Sequence, residues 1–223
     1  MIELTSSKGD FDVFVDDIDG RGYIIYGCAY YISIERLSDD FYYTLENGKN
    51  ATVKGGHFNG STFPDYFVEA PVFFKRNNLY YVLYGHCCCF CEQGSGVIVS
   101  TAPHPMGPWT RHPGNRACVP SHLKAPDGIS QSLLGIPTPG QGCLYNGSTD
   151  FSTTKAQQNF VLEIKYKEED NVEKSMFVWT GDLWQQAPDH IKGHEGQFWA
   201  PLEFTEDGDV QKIKHVDRFE IPT

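Results

Sequence analysis

No stretch of this 223-residue chain approaches the roughly 18 consecutive apolar residues of a membrane-spanning helix. A membrane partner is therefore not expected. Positive charge is scarce as well: 18 Lys and Arg stand against 29 Asp and Glu, a formal net charge of −11. No basic stripe interleaves with the aromatics, and a surface of this sign repels a phosphate backbone, so nucleic acid is not an expected partner either. The first residues, Met1 to Phe14, lack the basic and apolar regions of a signal peptide. Helical periodicity is nowhere sustained; the best candidate, residues 34 to 40, amounts to one or two turns. The seven cysteines, Cys28, Cys87, Cys88, Cys89, Cys91, Cys118 and Cys143, leave at least one without an internal disulfide partner. Cys88 and Cys91 form a C-x-x-C with no second pair at finger-like spacing, so disulfides or buried thiols are the expected reading rather than zinc. His86 beside them could join a metal site, although a lone His reads more readily as a hydrogen-bonded structural residue. No cofactor is expected, and bound calcium is not readable from the residues.

What is present points one way. A composition of 40% hydrophobic and 14% aromatic residues is enough for the core of one domain over residues 1–223. Fifteen Phe, twelve Tyr, 22 Gly and 13 Pro suit short strands joined by tight turns, since aromatics fit pleated half-buried surfaces and Gly and Pro punctuate them. Residues 12 to 16 and 22 to 26 alternate around the acidic turn Asp17-Ile18-Asp19-Gly20, which predicts a β-hairpin. The unit recurs at 72 to 75 and 79 to 84 around Arg76-Asn77-Asn78, and each hairpin is followed by a third strand, at 31 to 34 and 96 to 100. A further round runs through 159 to 164, 175 to 180 and 197 to 204. Repeated small antiparallel sheets of this kind are the sequence signature of propeller blades. Residues 102 to 142, rich in Pro and Gly, are expected to cross the surface as an extended loop. Three N-glycosylation acceptors, at Asn50, Asn59 and Asn146, lie in polar turn-like stretches and lean towards secretion.

Two carboxylates stand out chemically. Asp10 directly precedes the first strand, and Glu69 lies in the aromatic, apolar stretch Tyr66-Phe67-Val68-Glu69-Ala70-Pro71-Val72-Phe73-Phe74. Desolvation there would favour the acid form of the Glu, which is what glycosidic cleavage asks of the group that protonates the leaving oxygen. The blander readings are a turn carboxylate for Asp10 and a solvated strand-entry residue for Glu69. Asp16, Asp17 and Asp19 read as hairpin-turn residues, because a calcium loop requires more regular oxygen spacing.

The second stretch, continued through Asn77-Asn78-Leu79-Tyr80-Tyr81, resembles the segment of glycoside hydrolase family 43 in which Glu-Ala-Pro or Glu-Gly-Pro precedes an aromatic strand, a turn and a Tyr-Tyr strand. The first resembles the family's Asp-x-x-x-Phe-x-Asp-Asp-x-Gly hairpin, with one residue more in the turn because Ile18 separates Asp17 from Asp19. Met106-Gly107-Pro108-Trp109 is similar to the family's Gly-Pro-Trp. The resemblance implies a five-bladed β-propeller, here lacking its first blade, with Glu69 as general acid and Asp10 as the residue that orients it and tunes its pKa.

Residues 156 to 161, Gly181-Asp182-Leu183-Trp184 and Phe198-Trp199-Ala200-Pro201-Leu202 resemble segments of the family's exo-β-1,3-galactanase-like branch. That likeness implies an exo-acting, inverting hydrolase of a galactan-type plant or algal polysaccharide. Gln157 would stand near the attacking water, Gln158 being its alternative by a slip of one residue. Asp182, Trp184 and Trp199 become candidate sugar contacts, although Trp in small sheets is more often core. A carbohydrate-binding propeller without hydrolysis is the alternative. The resemblance runs in order from about Asp10 to about Phe204, and a secreted protein is expected from it.

Overall fold

The computed structural model describes residues 9–28, 31–45, 57–58, 68–86, 97–111, 156–168 and 171–222. Within them the chain is all-β: three antiparallel sheets, no α-helix, and one 3-10 turn at Lys192–His194. Among these residues no helix is long and apolar enough to cross a membrane. The cysteines at 87, 88, 89, 91, 118 and 143, the three glycosylation acceptors and the side chains of Cys28 and His86 lie outside the described residues.

The first sheet joins β1 (Asp10–Val15), β2 (Gly22–Cys28), β3 (Tyr31–Arg36) and the two-residue β4 (His57–Phe58) in sequence order. The β1–β2 turn absorbs its extra residue through a local network. Asp16 N–H donates to Arg21 O, Gly20 N–H to Asp16 O, and Ile18 N–H to Asp16 Oδ1, with Gly20 at φ +70°, a conformation that glycine adopts without penalty. The second sheet joins β5 (Val68–Arg76), β6 (Leu79–His86), β7 (Ile98–Ala102) and β8 (Thr110–Arg111). The third orders β9 (Gln157–Lys167), β10 (Glu173–Asp182) and β11 (Gln197–Pro201) as β11-β10-β9. The first strands of the sheets are neighbours: β1 lies against β5, and β5 against β9.

Three expectations change. Residues 34 to 36 continue β3 instead of starting a helix, and Leu37 bridges Thr44. Asp40 Oδ1 accepts from the Ser38 hydroxyl and the Tyr42 amide, so short polar side chains hold a turn where helical bonds would otherwise form. The expected strand 197 to 204 ends at Pro201; the Leu202 N–H still donates to Phe177 O at 2.8 Å, and Phe204 then bridges Val210. The stretch expected as a loop from 102 also adds β8 before residue 112.

The middle sheet explains the near-continuous apolar run of β5 to β7. Strand alternation sends Phe73, Tyr80, Val82, Tyr84 and Ile98 towards Tyr23, Ile25, Ile32 and Ile34 of the first sheet. It sends Val72, Phe74, Tyr81, Leu83 and Val99 towards Phe177, Trp179, Phe198 and Ala200 of the third. A sheet covered on both faces has no polar face to alternate with. Trp109, after the cis Gly107–Pro108 bond, closes the first interface edge-on to Phe73 at 5.7 Å.

One buried ion pair fastens the first sheet to the second. Asp16 accepts from Lys75 Nζ at 3.1 Å and from the Tyr80 hydroxyl at 2.5 Å. Burial alone would push the Asp16 carboxyl up, but the bonds from Tyr80, the Ile18 amide and Lys75 outweigh it and hold the group below the usual carboxylate value. Lys75 is raised in turn: burial opposes this, and Asp17 and Asp16 prevail. A carboxyl with a depressed folded pKa contributes stability above its unfolded value and loses it as pH falls through the folded one. The raised ammonium adds its share until pH climbs past the lysine range. Asp16→Asn is therefore expected to lower the unfolding free energy by about 1–3 kcal/mol at neutral pH. The gap to wild type should close below about pH 3, which thermal unfolding across pH measures.

Candidate active site

Three side chains meet where the first strands of the sheets begin. Asp10 opens β1, Glu69 is the second residue of β5, and Gln157 opens β9. Glu69 and Gln157 are 4% and 6% exposed, and Gln157 Nε2 donates to Glu69 Oε1 at 2.6 Å across a sequence separation of 88 residues. Asp10 reaches the same place through the backbone: its Oδ2 accepts from the Ala70 N–H at 3.2 Å.

Glu69 owes its position to an irregularity in β5. The pairing with β6 slips between Glu69 and Val72, and Ala70 adopts φ +51°, which non-glycine residues rarely occupy. Such a bulge re-aims the neighbouring side chain and adds local twist. Residue 71 is Pro, which donates nothing to a ladder, so the slip leaves no backbone bond sacrificed there. One step along β1, Asp12 Oδ2 accepts from the Phe73 N–H at 2.9 Å and its Oδ1 from the Val13 N–H at 2.8 Å. Burial raises the Asp12 carboxyl above its ordinary value, outweighing the two amide bonds that favour the charged form.

A cleft of about 480 Å³ lies over these groups, bordered by Asp10, Glu69, Gln157, Asn159, Asp182 and Trp184. This is the size range of small-molecule sites. Asp182 is held by two amides: Asn159 Nδ2 lies 3.1 and 3.0 Å from its two oxygens, and Gln197 Nε2 is 3.0 Å from Oδ1. Lys192 Nζ sits 4.1 Å from the centre of the Trp184 ring, a cation–π contact that fixes this ring at the rim. Among the described residues no group of three or more His, Cys, Asp or Glu side chains is arranged to hold a metal ion.

Of the six candidates read from the residues, Asp10, Glu69, Gln157, Asp182 and Trp184 are gathered around one cleft. Trp199 does not border it; the ring is 44% exposed on β11, with Nε1 3.3 Å from Gln197 Oε1. Alternation turns Gln157 and Gln158 in opposite directions. Gln158 Oε1 accepts from the indole of fully buried Trp179, while Gln157 turns to Glu69. Asn159 and Gln197 were not singled out from the sequence. The third sheet shifts register at Thr180/Gly181, opposite Asn159, and this shift places an extra polar residue beside Asp182.

No protein-family model matches the sequence, and no curated protein matches it by sequence. Solved structures do match. A β-1,3-galactosidase of glycoside hydrolase family 43 holding galactodeoxynojirimycin is 20% identical with a TM-score of 0.58, over 96% of this chain and 47% of its own. An exo-β-1,3-galactanase from Clostridium thermocellum is 19% identical with a TM-score of 0.56, over 93% of this chain and 36% of its own. The exo-β-1,3-galactanase of Phanerochaete chrysosporium, solved as a glutamate-to-glutamine variant with β-1,3-galactotriose, is 19% identical with a TM-score of 0.57, over 94% of this chain and 36% of its own. The chain thus shares the fold of these enzymes and spans less than half their length.

Proposed function

We propose that this chain is the greater part of a family 43 glycoside hydrolase domain that releases galactose from the ends of β-1,3-linked galactan with inversion at the anomeric carbon. Its three sheets are three blades of a five-bladed propeller, whose inner strands β1, β5 and β9 carry the site. The observation that carries this reading is the buried Glu69–Gln157 hydrogen bond at the floor of the cleft, beside the Ala70 amide held by Asp10. The fold shared with galactosidases and galactanases supports the choice of sugar.

The chemistry follows from the donors and acceptors. Desolvation disfavours an ionised Glu69, and an acid is what the departing oxygen needs. With Gln157 Nε2 donating to Oε1, a proton carried on Oε2 leaves that bond intact. Gln157 therefore orients the acid, and inversion requires the attacking water to be held on the opposite face of the sugar, about 6.5–9.5 Å from the acid, by a group other than this directly bonded amide. Asp10 keeps the Ala70 turn, and with it the Glu69 backbone, in the productive conformation. Asp182, already bonded to two amides, accepts sugar hydroxyls through its remaining lone pairs, and the Trp184 ring borders the apolar face of the sugar. A polymer of this kind calls for action outside the cell.

Incubation with β-1,3-galactotriose, followed by proton NMR, tests the proposal. The first product expected is α-galactose, which then mutarotates; β-galactose as first product would overturn inversion. A second reading, a domain that binds galactan without cleaving it, is favoured because Gln157, expected from the sequence to stand near the water, is bonded to the acid instead. Calorimetric binding of the trisaccharide with no product would support that reading and reject the first.

A further inference from the structure

Along a regular strand, N–H groups point to alternate edges, so residues 71 and 73 of β5 should donate to the edge that faces β1. Residue 71 is Pro and has nothing to donate. The bulge after Glu69 compensates: Ala70, in its left-handed conformation, turns its own N–H to that edge. Two donors three residues apart then face a strand that offers no ladder, because β1 pairs with β2 and not with β5. The acceptors are side chains. Asp10 and Asp12 are two residues apart on β1, hence on one face, and they take the Ala70 and Phe73 N–H groups respectively.

We propose that Asp12 is a positioning residue for the acid, forming with Asp10 a two-point clamp that holds the Glu69 bulge from both sides of Pro71. This rests on the reading of Glu69 as the general acid. Asp10 alone fixes a single point, about which Ala70 is able to rotate back towards an ordinary strand conformation. The second point, at Phe73, removes that rotation and sets the direction in which Glu69 leaves the backbone. Asp12 also bonds its own neighbour, Val13, so its carboxylate is anchored before it reaches across. The raised proton affinity of Asp12 agrees with a carboxyl enclosed between two strands and not extended into solvent.

The test separates geometry from charge. Asp12→Ala removes the acceptor and is expected to lower kcat on β-1,3-galactotriose about 10- to 100-fold with KM nearly unchanged, the scale of a misaligned catalytic group. Asp12→Asn keeps a carbonyl acceptor for Phe73 and should recover kcat to within about threefold of wild type. Asp12→Val, lacking the acceptor but well suited to a strand, serves if the Ala variant does not fold. Amide hydrogen exchange gives the second readout: the Ala70 and Phe73 amides should exchange slowly in wild type and Asp12→Asn, and at least about tenfold faster in Asp12→Ala or Asp12→Val. An unchanged kcat, an equal loss in the Asn and Ala variants, or unchanged exchange would overturn the clamp. If wild type releases no galactose, the hydrolase reading fails on its own, and the exchange rates still decide whether the clamp exists.

Discussion

Glu69→Gln is expected to lower kcat on β-1,3-galactotriose by about 10²- to 10⁴-fold, the usual contribution of a positioned general acid. Glutamine has the shape of glutamate, and its carbonyl oxygen can still accept from Gln157 Nε2, so the 4% exposed side chain keeps its packing. Only the proton is lost, since an amide N–H does not protonate an ether oxygen. The same variant should lose much less on an aryl galactoside whose leaving group departs as a stable anion. Steady-state kinetics on the two substrates decide the matter. An equal loss on both would mean that Glu69 holds the site together without acting as an acid, and an unchanged kcat on the trisaccharide would remove it from the mechanism.

Gln157→Glu tests the other half of the pair. A carboxylate at this position would lie 2.6 Å from Glu69 Oε1, both side chains nearly buried, and like charges so close cannot both ionise. The two groups would then share one proton and titrate as a unit. Ionisation of Glu69 becomes harder, so the acid stays protonated to higher pH. The alkaline limb of the kcat/KM profile is therefore expected to move upward by about one to three pH units. Gln157→Leu, which removes the donor to Glu69 Oε1 but adds no charge, is the control and should move the limb upward by less than Gln157→Glu. An alkaline limb that stays in place in Gln157→Glu would separate Gln157 from the acid.

The local units were legible because their causes are local. The β1–β2 and β5–β6 hairpins follow from alternation interrupted by Asp, Gly and Asn, and Asn77 indeed turns at φ +55°. The two-residue strands β4 and β8 carry too few residues for any period to show. Residues 34 to 40 misled for the opposite reason: the spacing of Ile34 and Leu37 suits a helix turn, but Ile34 is wholly buried against the second sheet, and that packing overrides a weak local preference. In the site, Asp10 and Glu69 could be singled out as acidic residues at strand starts. Asp12 could have been found by stepping two residues from Asp10, yet nothing in its neighbourhood marks an acceptor whose donor lies 61 residues away.

The amino-acid sequence by itself determined the longer hairpins, their turns and the acidic residues near the starts of β1 and β5, because backbone preference and period-two burial act over a few residues. Which side chains touch was decided only by the tertiary structure. Whether Gln157 or Gln158 faces Glu69 depends on which of them Trp179 draws into the core, and whether Trp184 or Trp199 borders the cleft depends on how the third sheet is stacked. The bulge at Ala70 belongs to both levels. Pro71 makes it locally tolerable, but Asp10 and Asp12 on another sheet supply the acceptors that hold it. A contact between sheets sums the packing of every strand between its partners, and no short window of residues contains that sum.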